Sequence, residues 1–193
     1  MGTGGTAERI ASAARAILLA EGAAAVSMRR VADAVGITPM AIYSHYPNRD
    51  ALLRAVADAS FLEVAGNWGR RAETSDLRAR VFGLLDDLLD FALGQPHLYN
   101  FLIADRRESA RRFPDDFRDG GSPTFSPILA LVDLGMREGL LRRDDPLEVA
   151  LIFTSSAQGL IQLYLSGRIG LSEKDFRALC ARTVGRILDG LET

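Results

Sequence analysis

Apolar residues recur at three- and four-residue spacing along almost the whole of this 193-residue chain, and no segment shows the sustained alternation of a half-buried strand. That periodicity restricts the chain to packed helices. Ile10, Ala13, Ala14, Ile17 and Leu18 form the first stripe, with Thr6 expected as N-cap and Gly22 as the stop. Ser27 is placed to cap a short second helix carrying Val31, Ala32 and Val35, which Gly36 interrupts. Thr38-Pro39 restarts the chain with a capping hydroxyl and a proline at the first helical position, where its missing N–H costs nothing. The third helix should end near Tyr46, before Pro47, and Asn48 should cap a fourth that runs towards Trp68. Further stripes predict helices over 77–94, 97–104, 125–139, 146–164 and 173–191, with residues 105–123 a surface connection. The helix from Pro146 is apolar on more than one face, which predicts burial on several sides.

Composition narrows the function classes. Cys180 is the only cysteine, so an internal disulfide, a CxxC redox pair and an all-cysteine zinc site are excluded. His45 and His97 are the only histidines, and no cofactor or metal is expected. Asp86, Asp87 and Asp90 read as a solvated helix face rather than a carboxylate site, and Cys180, within an apolar stripe, as a small buried hydrophobe. No Ser/His/Asp grouping, phosphate loop or Cys/His nucleophile pattern occurs, so an enzyme is not expected. No run approaches the ~18 apolar residues of a membrane span, and the chain reads as soluble and cytoplasmic. With 23 basic against 25 acidic residues the formal charge is −2, so a nucleic acid must be met by a local surface rather than by a polycation.

The informative stretch is residues 27–53. Two short helices around a turn at Gly36 form a helix-turn-helix, whose second helix enters the DNA major groove. Val31, Ala32, Val35, Ile37 and Ile42 are positioned to pack the pair together. Thr38, Pro39, Met40, Ala41, Tyr43, Ser44 and His45 remain on a short segment without an acidic residue, able to approach phosphates and base edges without repulsion.

The run Gly36-Ile-Thr-Pro-Met-Ala-Ile-Tyr-Ser-His-Tyr-Pro-Asn-Arg-Asp-Ala-Leu-Leu53 resembles the recognition-helix signature of the TetR family of bacterial transcription regulators. Downstream only length and helical pattern agree, but the match to that signature is contiguous and the resemblance is strong over about residues 7–60. It implies an all-α homodimer: a helix-turn-helix DNA-binding domain over residues 1–47, and a helical effector-binding and dimerisation domain over 48–193. By the same resemblance Tyr43 and His45 touch DNA backbone or bases, and Thr38 and Arg49 hold phosphates. Arg29 reaches the groove from the preceding helix. Pro39-Met40-Ala41 departs from the longer polar residues that many relatives carry there, which points to thymine methyls or DNA shape. The partners implied are a double-stranded operator and a small, mainly apolar effector, with the last two helices as the dimer seam. Among the aromatic and apolar residues of the middle helices, Phe61, Phe82, Phe101, Met136 and Phe153 are the candidates for an effector pocket. The competing reading is a helical protein–protein adaptor or small-molecule carrier with a vestigial helix-turn-helix.

Overall fold

The computed structural model describes residues 5–68, 76–104, 111–120 and 122–193. Among them are nine α-helices and no strand: α1 Thr6–Glu21, α2 Met28–Val35, α3 Pro39–Tyr43, α4 Arg49–Asn67, α5 Leu77–Gly94, α6 Pro96–Tyr99, α7 Ser126–Arg137, α8 Pro146–Leu165 and α9 Glu173–Leu191. The chain forms two compact units, Met1–Glu63 with Gln95–Ala110, and Val64–Gly94 with Arg111–Thr193. Compactness therefore groups most of α4, and α6, with the N-terminal helices, whereas the sequence motif alone suggests a division after residue 47.

In the first unit α1 buries Ile10, Ala14 and Leu18 completely, a stripe at four-residue spacing on which α2 and α6 pack. The helix begins one residue earlier than expected: Gly5 is its N-cap and Thr6 its first residue, without a side-chain cap. Gly22 closes it at φ +86°, its N–H donating to the Leu18 carbonyl at 2.9 Å. A single 3-10 turn, Ala23–Ala25, leads into Val26 and the helix-turn-helix. After α6 the chain continues as one π-helical turn, Asn100–Ala104, which buries Phe101 and Leu102.

The second unit is built on α5, which contacts α7, α8 and α9. Being covered from three directions, α5 buries more than one stripe, and Asp87 lies buried with Leu84, Leu85 and Leu88 rather than on a solvated face. Asp86 does stand exposed, and Asp90 pairs with Arg177 at 2.9 Å. Asp145 caps α8, accepting from the Leu147 N–H at 2.8 Å, and Ser172 caps α9, accepting from Asp175 N–H at 3.2 Å. Tyr164 of α8 stacks on Phe176 of α9 with ring centroids 4.1 Å apart. The last residues return to the start of the α7–α8 connection. Leu141 and Glu192 form an isolated antiparallel bridge, and the Arg142 N–H donates to the Leu191 carbonyl at 2.8 Å. Burial of α8 is less complete than its composition predicts, since Ile152 and Leu163 are exposed. No described helix is long and apolar enough to cross a membrane.

Gly135 on α7 is where this unit is tightest. A Cβ there would stand 2.7 Å from Leu77 Cδ2 and 2.8 Å from Leu141 Cδ1, well inside van der Waals contact. Gly135→Ala should therefore destabilise the protein by about 1–3 kcal/mol despite alanine's higher helix propensity. A urea titration checks this: the expected result is a lower midpoint at unchanged slope.

Candidate nucleic-acid interface

The local chemistry of residues 27–48 fixes three helix starts and two helix ends. Ser27 Oγ accepts from the Arg30 N–H at 3.2 Å and opens α2. Gly36 closes it in the left-handed region, φ +75° and ψ 36°, its N–H bonded to the Ala32 and Asp33 carbonyls. A side chain with a Cβ pays about 1–2 kcal/mol in that conformation. Thr38 Oγ1 then accepts from the Ala41 N–H at 3.2 Å, with Pro39 at the first helical position. α3 ends at Tyr43, three residues short of the expected stop. Ser44 Oγ turns back to donate to the Ala41 carbonyl at 2.7 Å, and His45 and Tyr46 both bond the Ile42 carbonyl through their N–H groups. Asn48 Oδ1 accepts from Ala51 N–H at 2.8 Å and starts α4.

Burial divides α2 and α3 into an inner and an outer face. Val31, Ala32 and Ile42 are fully buried, and Tyr46 is half-buried with its hydroxyl on the Ala7 carbonyl, 3.2 Å. Outward stand Thr38, Pro39, Ser44 and His45, with Met40 77% and Tyr43 48% exposed; Ala41 is half-buried. Arg29 is exposed on α2. Arg30 is engaged instead: its guanidinium forks onto Glu21, with Nη1 2.8 Å from Oε2 and Nη2 on Oε1. That hydrogen bonding holds the Glu21 carboxyl below its ordinary range and raises Arg30.

Arg49 lies in a setting that its sequence position did not reveal. Its Nε donates to the Val26 carbonyl at 2.7 Å and its Nη2 to the Ala23 carbonyl at 2.6 Å, with Asp50 3.9 Å from Nη1. Backbone acceptors carry no residue-type signature, so only the folded turn shows this arrangement.

The second unit holds a cavity of about 50 Å³, partly open to solvent, lined by Trp68, Val81, Leu84, Leu85, Leu88, Thr124, Ile128, Phe153, Thr154, Ala157 and Val184. Of the five pocket candidates only Phe153 lies in this lining. Phe61 and Phe101 are buried within the other unit, Met136 is buried in α7, and Phe82 faces Arg78, whose guanidinium is 5.7 Å from the ring centre. The lining is mostly aliphatic and is drawn from α5, α7, α8 and α9 together with Trp68 and Thr124. No lining residue is charged, and the Thr154 hydroxyl is within bonding distance of the Ala150 and Leu151 carbonyls, 3.0 and 3.1 Å. No group of three or more potential metal ligands occurs among the described residues.

Described residues that are helical throughout, with an N-terminal helix-turn-helix followed by a further helical unit, have the form of a DNA-binding regulator. Comparison with known proteins names the class. Residues 10–56 match the family of bacterial regulatory proteins of the tetR type, and residues 81–187 match the tetracyclin repressor-like C-terminal domain. This chain belongs to the TetR family of transcription regulators. No curated protein matches it in sequence. Among solved structures it is similar in fold to a protein of unknown function from Rhodococcus sp. RHA1, with 22% identity, 98% and 97% of the two chains covered, and TM-score 0.79. A TetR transcription regulator from Haloarcula marismortui is 23% identical over 97% of this chain and 98% of its own, TM-score 0.73. The fatty acid degradation regulator FadR from Bacillus halodurans is 13% identical over 97% and 96%, TM-score 0.72.

Cys180 is fully buried in α9, and burial pushes its thiol up to about 11. A thiol whose folded pKa lies above the ordinary ~8.5 stays neutral at pH 8, while the unfolded chain begins to ionise there. Folding stability from this group is therefore complete below about pH 8.5 and falls as pH rises towards 11. Native protein at pH 8 should resist a thiol reagent, with reaction appearing only on unfolding. Rapid stoichiometric labelling of the folded protein would contradict this.

Proposed function

We propose that the protein is a homodimeric repressor that binds a palindromic operator in the cytoplasm and leaves it when a small neutral effector occupies the α5–α7–α8 cavity. The observation that carries the DNA part is the outer face of α3: Met40 and Tyr43 project outward from a helix pinned by buried Ile42, with Ser44 and His45 beside them. No acidic residue lies on that segment. On this reading Tyr43 and His45 touch bases or backbone, and Met40 with Pro39 and Ala41 packs on thymine methyls. Thr38 and Ser44 approach phosphates, and Arg29 reaches a guanine edge or a phosphate from α2. Exposed Ile152 and Leu163 on α8, together with α9, are the proposed dimer seam, a self-complementary patch about a two-fold axis.

For the effector, the lining is the guide. A charged ligand entering this cavity would lose its hydration without a countercharge, at a cost of several kcal/mol. Neutral molecules with a small apolar body avoid that cost. α4 carries residues of both compact units, and Trp68, directly after it, lines the cavity. A change of α4 on effector binding would alter the spacing of two recognition helices that must match major grooves about 34 Å apart. The coupling is reciprocal, so DNA must weaken effector binding by the same factor.

Two experiments test these statements. Purified protein should recover from sheared genomic DNA, at about 0.15 M salt, a few fragments sharing a palindrome. Tyr43→Ala should lose about 1–3 kcal/mol of that affinity; recovery of no specific fragment, or an unaffected Tyr43→Ala, overturns the assignment. In thermal denaturation, indole or another neutral aromatic should raise the midpoint, whereas its carboxylate counterpart at equal concentration should not. Ala157→Leu, which fills the cavity, should abolish the shift. Stabilisation by the carboxylate alone would overturn the neutral-effector reading.

A further inference from the structure

Arg49 is the first residue of α4, and its side chain crosses to the turn that precedes the helix-turn-helix. Two of its donors are spent on backbone: Nε on the Val26 carbonyl at 2.7 Å and Nη2 on the Ala23 carbonyl at 2.6 Å. Both distances are at the short end for N–H···O bonds, as expected when the donor is charged. The acceptors bracket the 3-10 turn Ala23–Ala25 and end one residue before Ser27, the residue whose hydroxyl caps α2. The planar fork of a guanidinium suits this task, since two carbonyls a few residues apart are held at a fixed separation by one rigid group.

We infer that Arg49 is a positioning residue: it ties the start of α4 to the turn 23–26, and through Ser27 sets how α2 and α3 are presented to DNA. This rests on the DNA-binding reading above and gives Arg49 a different part from the phosphate contact that the family resemblance implies. Its Nε and Nη2 point to protein carbonyls, and only Nη1, 3.9 Å from Asp50 on the partly exposed edge of the guanidinium, is left for any outward contact. Movement of the α4 start would therefore be passed directly to the cap of α2.

The two roles separate in the salt dependence of DNA binding. Each lost phosphate contact lowers the slope of log K against log salt by about 0.9. The probe is a mixed-sequence 30-base-pair duplex, titrated between about 50 and 200 mM salt with wild type, Arg49→Met and Arg49→Gln. Glutamine places an amide nitrogen where the arginine Nε stands, so it can restore the bond to Val26 without the charge. A positioning role predicts that Arg49→Met binds more weakly at unchanged slope and that Arg49→Gln regains part of the loss. A slope reduced by about 0.9 in both variants, with no recovery in Arg49→Gln, overturns the proposal in favour of a phosphate contact.

Amide hydrogen exchange, measured without DNA, tests the tie independently of whether the protein binds DNA at all. The amides of Val26, Arg30 and Val31, bonded to Ala23 and Ser27, should exchange about tenfold faster in Arg49→Met and less so in Arg49→Gln. Wild-type exchange at these amides in Arg49→Met overturns the proposal. Failure of the wild-type protein to bind this non-operator duplex would leave the role of Arg49 to be decided by the exchange result.

Discussion

The left-handed turn at Gly36 is the constraint on which the DNA-facing part of this molecule depends. Its N–H serves two carbonyls of α2, its positive φ redirects the chain within a single residue, and the Thr38 hydroxyl then accepts from the Ala41 N–H in the first turn of α3. With both ends held by hydrogen bonds, the angle between the two helices is set by local chemistry. Val31, Ala32 and Ile42 then add a buried contact that keeps α3 on its support. Only with that angle fixed do the exposed side chains of a five-residue helix, far too short to be stable alone, become a defined surface.

The surface itself is economical in charge. Arg30 is held by Glu21 and Arg49 by two carbonyls, so two of the arginines nearest the recognition helix are engaged within the protein. What faces outward is Arg29 together with the apolar and hydroxyl-bearing residues of α3. On the DNA-binding reading proposed above, such a surface would favour close steric fit to a particular groove over broad attraction to any phosphate backbone, in keeping with a chain whose net charge is −2.

The second unit works by different physics. Its α5 is covered from three sides, its glycine at 135 admits leucines where a methyl group would collide, and its cavity carries no charge. The cavity is small because α5, α7 and α8 are closely packed, and it is apolar because the inward residues of those helices are the ones the core requires. On the effector reading proposed above, a cavity made in this way would select by size and neutrality more than by directed hydrogen bonds.

Local signals in the sequence determined the helices, most of their caps and the helix-turn-helix, because Ser27, Gly36, Thr38-Pro39, Asn48, Asp145 and Ser172 act on their own neighbours within four residues, whereas Gly5 rather than the expected Thr6 is the N-cap of α1. The outward residues of α3 were legible for the same reason: they are what remains once the apolar positions are assigned to packing. Tertiary structure decided what depends on distant partners. Asp87 is buried because three helices converge on α5, and most of the expected pocket aromatics lie elsewhere because the cavity is defined by facing positions on several helices. Arg49 meets the carbonyls of Ala23 and Val26 because chain folding brings together residues 23 and 26 positions apart. A carbonyl looks the same on every residue, so periodicity and residue type carry no record of that meeting; the folded backbone alone specifies it.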